Sequence, residues 1–160
     1  MNQYLSFLFC IIGFTSYGQN KVSTTLPKLE SYHYEALILI NKLRSKNCSC
    51  GNQQYSKQKP LAYNKKLEKA AAIHARDLYS RKVLSHIGKN GSKVPDRIKA
   101  QGYNWKSYAE NVAEGYETIE EVFDAWMKSK GHCKSIMGNY QEFGIFKVND
   151  YWVLDFGIEK

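Results

Sequence analysis

Acidic and basic side chains are missing altogether from the first 20 of the 160 residues. In their place Tyr4 to Phe14 forms an apolar run. It is too short to cross a bilayer comfortably as a helix, which takes about 20 apolar residues. This combination predicts a signal peptide over residues 1–19, and therefore a protein that is secreted or periplasmic after cleavage. The residues before Cys10, Phe7-Leu8-Phe9, lack the small side chains of a lipid-modification site, so Cys10 leaves with the signal. Linkers rich in Gly, Ser or Pro are also lacking, as are internal repeats, which at this length argues for one core. No Walker loop, dinucleotide-binding glycine pattern or nucleic-acid module is present, so nucleic acid is not an expected partner. A local metal motif of the HExxH type is absent too.

What is present is an excess of positive charge, +8 in total. It is unevenly placed: residues 1–100 carry 17 basic and 5 acidic side chains, and residues 101–160 carry 6 and 10. A basic half raises the encounter rate with anionic partners. However, Lys42, Lys46, Lys65, Lys66, Lys69, Arg81 and Lys82 are distributed over helical faces, the pattern of solvated charge.

Apolar residues recur at helical spacing in Ser31–Lys46, where Tyr34, Leu37, Ile38, Ile40 and Leu43 predict a first helix. A polar loop over 47–62 follows. Asn64 is a credible N-cap for a second helix to about Lys82, with Leu67, Ala70, Ala71, His74 and Leu78 on one stripe. Pro95 opens a short helix that Gly102 stops, and Tyr108–Val112 reads as a strand. Thr118-Ile119-Glu120-Glu121 matches a capping box ahead of a helix carrying Val122, Phe123 and Trp126. Phe143–Val148 and Tyr151–Phe156, separated by Asn149-Asp150, form a hairpin signal. Helices first and paired strands last predict an α/β fold with an antiparallel sheet flanked by helices.

Four histidines are candidates for chemistry. His33 reads as a packing or surface residue, and His74, on an apolar stripe, as a buried neutral imidazole with one or two hydrogen bonds. His86 and His132 fall in Gly-containing segments expected to be loops, where binding side chains concentrate. Glu110 lies too far from either in sequence for a local motif. Loss of Cys10 leaves Cys48, Cys50 and Cys133. The first two are too close to pair with each other, so one of them is expected to bridge to Cys133. A zinc site of mixed ligands, Cys48, Cys50, His132 and Cys133, is the sharper alternative. Trp126 and Trp152 read as core; Trp105, in the 102–107 loop, is the best candidate for an exposed aromatic near the cleft, with core packing the simpler account there too.

Read in order, Pro60-Leu61-Ala62-Tyr63-Asn64, Ala70 to Asp77, Ser85-His86, Asp96-Arg97-Ile98, Gly102 to Trp105, Ala109 to Gly115, Ala125 to His132 and Tyr151-Trp152-Val153 resemble the CAP domain. Several motifs in one order are far more specific than any one alone. The resemblance covers about Tyr34 to Gly157, and it divides the chain into a signal peptide (1–19), a flexible N-terminal segment (20–33) and a CAP domain (34–160). It implies a three-layer α-β-α sandwich around a central antiparallel sheet, of the small bacterial exported type. It also implies a cleft lined by two histidines and two glutamates. His86, Glu110 and His132 match three of those positions, with Asn111 beside them, and Ser129 stands where the second glutamate is usual. Glu114, Glu120 and Glu121 are the acids that could take its place. Cys50-Gly51 and Gly131-His132-Cys133 are similar to a pattern in exported bacterial members, implying a Cys50 to Cys133 disulfide with Cys48 left over.

The function so implied is a non-catalytic binding module for a divalent metal, an apolar ligand such as a lipid, or an envelope component. The chain is expected to be a monomer. No cofactor is required; Zn²⁺ would sit on His86 and His132. The alternative is a metal-dependent hydrolase of peptides or esters with Glu110 as base, against which the loss at Ser129 weighs. A basic adhesin for anionic polymers rests on charge alone.

Overall fold

The computed structural model describes residues 31–160. The predicted signal peptide and residues 20–30 lie outside them. Eleven elements follow in order: α1 (Ser31–Arg44), β1 (Cys48–Cys50), β2 (Gln53–Tyr55), β3 (Ala62–Tyr63), α2 (Lys65–Arg81), α3 (Val94–Ala100), β4 (Trp105–Ala113), α4 (Ile119–Lys128), α5 (Lys130–Ile136), β5 (Glu142–Val148) and β6 (Tyr151–Glu159). The first helix begins at Ser31, as the periodicity predicts, so it takes in Ser31 to His33, which the domain division had left in the flexible segment.

The central sheet has the order β3-β5-β6-β4. Its three long strands pair antiparallel, and the two-residue β3 adds to β5 in parallel. Alternation along β6 builds two cores at once. Trp152, Leu154 and Phe156 face α1, α4 and α5, while Tyr151 and Val153 face α2. The sheet is thus covered on both sides, which accounts for strands that read as nearly continuous apolar runs. On the α2 side Gly144 permits a close approach: a Cβ there would lie 2.0 Å from the Glu68 backbone nitrogen.

Local signals place several boundaries. The Asn64 side chain accepts from the backbone N–H groups of Lys66 (2.8 Å) and Leu67 (3.4 Å), satisfying donors that the helix start leaves free. Thr118 and Glu121 form the reciprocal capping box. Asn149 turns the β5-β6 hairpin at φ 52°, a conformation that Asn tolerates better than most residues. The stretch 47–62, expected to be a loop, contains the β1-β2 hairpin and β3 instead. Gly51 makes its turn at φ +62°. These strands are too short and polar for alternation to be visible.

One buried arginine joins distant segments. Arg44, 1% exposed, donates to the carbonyls of Lys59 (2.9 Å), Ile136 (2.6 Å) and Gly138 (2.8 Å). Burial lowers its pKa to about 10. The guanidinium thus satisfies carbonyls at the end of α5 and in the β2-β3 connection, where no regular element does.

Candidate functional site

The site is built on β4. Glu110 pairs in register with Asp155 of β6, and its side chain, 1% exposed, is directed to the α2-α3 side. His86 comes from the connection between α2 and α3, and its Nδ1 lies 2.7 Å from Glu110 Oε1. A carboxylate only accepts, so Nδ1 carries the proton and, in the neutral ring, Nε2 keeps its lone pair. The hydrogen bond to Glu110 raises the His86 pKa above the ordinary value, more than partial burial lowers it. Arg97 of α3 holds the other carboxylate oxygen, with Nη2 2.5 Å from Oε2.

The loop bearing His86 is fixed from below. His74, fully buried on α2, donates Nε2–H to the Ser85 carbonyl at 2.7 Å. Burial lowers its pKa, outweighing the opposing pull of Glu110, so the ring is neutral and its 3.9 Å approach to Glu110 is not an ion pair. Arg97 Nη1 donates to the carbonyls of His86 (3.2 Å) and Ser92 (2.9 Å), and Lys89 N–H donates to Asp77 at 3.0 Å. Asp155 is fully buried beside Glu110. Burial first, then the Glu110 charge, push its carboxyl well above the usual carboxylate range.

His132 approaches from the opposite layer. It sits on α5, not in a loop as its glycine neighbour had implied; Gly131 is accommodated inside the first turn. Asn111 is fully buried on the other face of β4 and donates to the His132 carbonyl at 3.1 Å. Burial, then the nearby His86 charge, lower the His132 pKa. His86 and Glu110 are therefore in direct contact, while His132 lies near enough to feel the His86 charge. Among the described residues the one close group of three His, Cys, Asp or Glu side chains is Cys48, Cys50 and Cys133.

The model of the Cysteine-rich secretory protein family, CAP, matches residues 37–156. The chain belongs to the CAP family. It is 34% identical over 132 residues to the uncharacterized protein YkwD of Bacillus subtilis, covering 82% of this chain and 48% of that protein. It is 24% identical to the uncharacterized membrane protein YlbC of the same bacterium, covering 85% and 35%. The chain thus spans about half or less of these relatives. Among solved structures, an extracellular SCP-domain protein of Bacillus anthracis superposes with a TM-score of 0.72 at 18% identity, covering 81% of this chain and 41% of that one. An outer surface protein of Borrelia burgdorferi gives 0.68 at 23%, covering 82% and 95%. At these identities the likeness is one of fold, the α-β-α sandwich.

In this CAP domain Ser129 joins α4 to α5. It lines a pocket of about 230 Å³ together with His132, Leu84, Trp126 and Glu114. Of the acids considered for the missing glutamate, Glu121 is held in its capping box and Glu120 is exposed in the first turn of α4. Glu114 reaches the pocket, and its carboxylate accepts the Tyr151 hydroxyl at 2.5 Å. Trp126 and Trp152 are buried at 1% exposure. Trp105 begins β4 and meets the Tyr108 ring edge-on, so it belongs to a strand, not a loop. Sequence reasoning missed Arg97 as the holder of Glu110, and Asp155. An acid in the apolar run Tyr151–Phe156 was the available signal for the latter.

Cys50 and Cys133 form a disulfide with Cα atoms 5.5 Å apart. The mixed zinc site is thereby corrected, since two of its four ligands are used in that bond. No helix among the described residues is long and apolar enough to cross a membrane.

Proposed function

We infer that the chain is an exported CAP-domain binding module whose His86-Glu110-His132 cleft holds a divalent cation such as Zn²⁺. The observation that carries this reading is the 2.7 Å bond from His86 Nδ1 to Glu110. A carboxylate that fixes the far nitrogen of an imidazole leaves Nε2 as a defined ligand atom, the arrangement typical of zinc-bound histidines. His132, kept neutral by burial, would supply the second nitrogen, with waters completing the shell. A bound cation would contribute Lewis-acid polarisation of an oxygen-bearing ligand. The chain's own residues supply orientation: Arg97 and His74 lock the loop, and Asn111 locks α5.

The same geometry weighs against the hydrolase reading. Glu110 is 1% exposed and already accepts hydrogen bonds from His86 and Arg97, so it is poorly placed to reach and deprotonate a water. Export, a monomeric state and a lipid or envelope ligand belong to this proposal too. Export is supported by the apolar N-terminal run, and by the extracellular protein with which the fold is shared. Calorimetric titration of Zn²⁺ into wild type and the His86→Ala/His132→Ala double variant tests it. Equal affinity in both would remove the site.

A further inference from the structure

A second reactive cluster lies away from the cleft. In an extended strand residues two apart project from the same face, so β1 presents Cys48 and Cys50 side by side. Cys50 is bonded to Cys133 across 83 residues, and both are fully buried. Cys48 is outside any disulfide and only partly buried. All three sulfurs lie within 4.8 Å of one another, so a short movement of the β1-β2 hairpin brings Cys48 against the bond.

We propose that Cys48, Cys50 and Cys133 form a thiol–disulfide exchange site, with Cys48 as the port through which small thiols and disulfides react with the buried bond. In the internal step the Cys48 thiolate attacks Cys133 Sγ. A Cys48–Cys133 bond forms, the Cys50–Cys133 bond breaks, and Cys50 leaves as a thiolate that takes up the proton Cys48 released; no oxidant or reductant is consumed. A small thiol then attacks Cys48 Sγ, giving a mixed disulfide and a Cys133 thiolate. A second small thiol attacks the small-molecule sulfur, freeing Cys48 and releasing a small disulfide. The sum is one protein disulfide reduced by two thiols. Burial pushes the Cys48 thiol up, so at neutral pH it rests protonated and the Cys50–Cys133 pairing persists. Because Cys133 follows His132 on α5, a change of its partner is felt next to the cleft.

Two measurements test the site on the exported chain. In Cys50→Ser, peptide mapping without reduction after alkylation is expected to show a Cys48–Cys133 pair; a Cys133 found alkylated overturns the proposal. In the second, folded wild type and Cys48→Ser, with native structure checked by circular dichroism, are treated with glutathione at about pH 8.5, near the ordinary thiol pKa. Reduction of the Cys50–Cys133 bond is expected to slow about tenfold or more in the variant, since direct attack must reach sulfurs with no exposure. Equal rates overturn the proposal, whatever Cys50→Ser shows.

Discussion

Replacing Arg97 by Met puts the assembly around Glu110 to a quantitative test. Arg97 is 5% exposed and contacts Glu110 at 2.5 Å, so the substitution keeps an unbranched side chain of similar length but strands a buried carboxylate. Removing one partner of a buried pair costs about 3–5 kcal/mol, whereas replacing both by neutral groups is close to neutral. For a domain of this size about 1 kcal/mol corresponds to roughly 3 °C, so Arg97→Met should lower Tm by about 9–15 °C. Arg97→Met/Glu110→Gln should recover most of that loss. Thermal unfolding of the two singles and the double closes a mutant cycle. A single-variant loss under about 1 kcal/mol, or a double that adds the two losses, would show that Glu110 does not depend on Arg97.

Four further outcomes follow from the same structure. Gly144→Ala should destabilise by more than the usual 1–3 kcal/mol of an overpacked core, because its Cβ would meet α2 backbone at 2.0 Å, not a movable side chain; urea denaturation measures it. Asp155, whose folded pKa is raised by burial, is stabilised by protonation, so stability is lost as pH rises above about 4, its unfolded value. Asp155→Asn should therefore raise Tm at pH 7, with the gain shrinking toward pH 4. His86 is raised by Glu110, so its contribution is full below about pH 6.5 and fades as pH climbs through the folded value. An NMR titration of its ring should give a pKa that falls in Glu110→Gln, and the same variant should bind Zn²⁺ about 10–100-fold more weakly in the calorimeter. Cys133→Ala, which opens an 83-residue span, should cost about 4.5 kcal/mol in the chain-entropy account, read from urea midpoints.

What could be read from the chain alone was what neighbours in sequence decide. The Asn64 cap, the Thr118-Glu121 box and the stripe from Leu67 to Leu78 each depend on hydrogen bonds or helical phase within about a dozen residues, and all three appear where expected. The order of motifs identified the family, and with it the sandwich and the Cys50–Cys133 pairing. His86 and Glu110 were named without any local reason for them to meet. Their contact depends on β4 pairing with β6, on α2 packing across that sheet, and on Arg97 crossing from α3, none of which leaves a short-range signature. The glycine before His132 suggests a loop, yet Asn111 and the disulfide hold that segment in α5. Arg97 as the partner of Glu110 and the buried Asp155 came into view only in three dimensions. Sheet register and layer packing decide which side chains share a space, and those act between residues that the sequence separates by tens of positions.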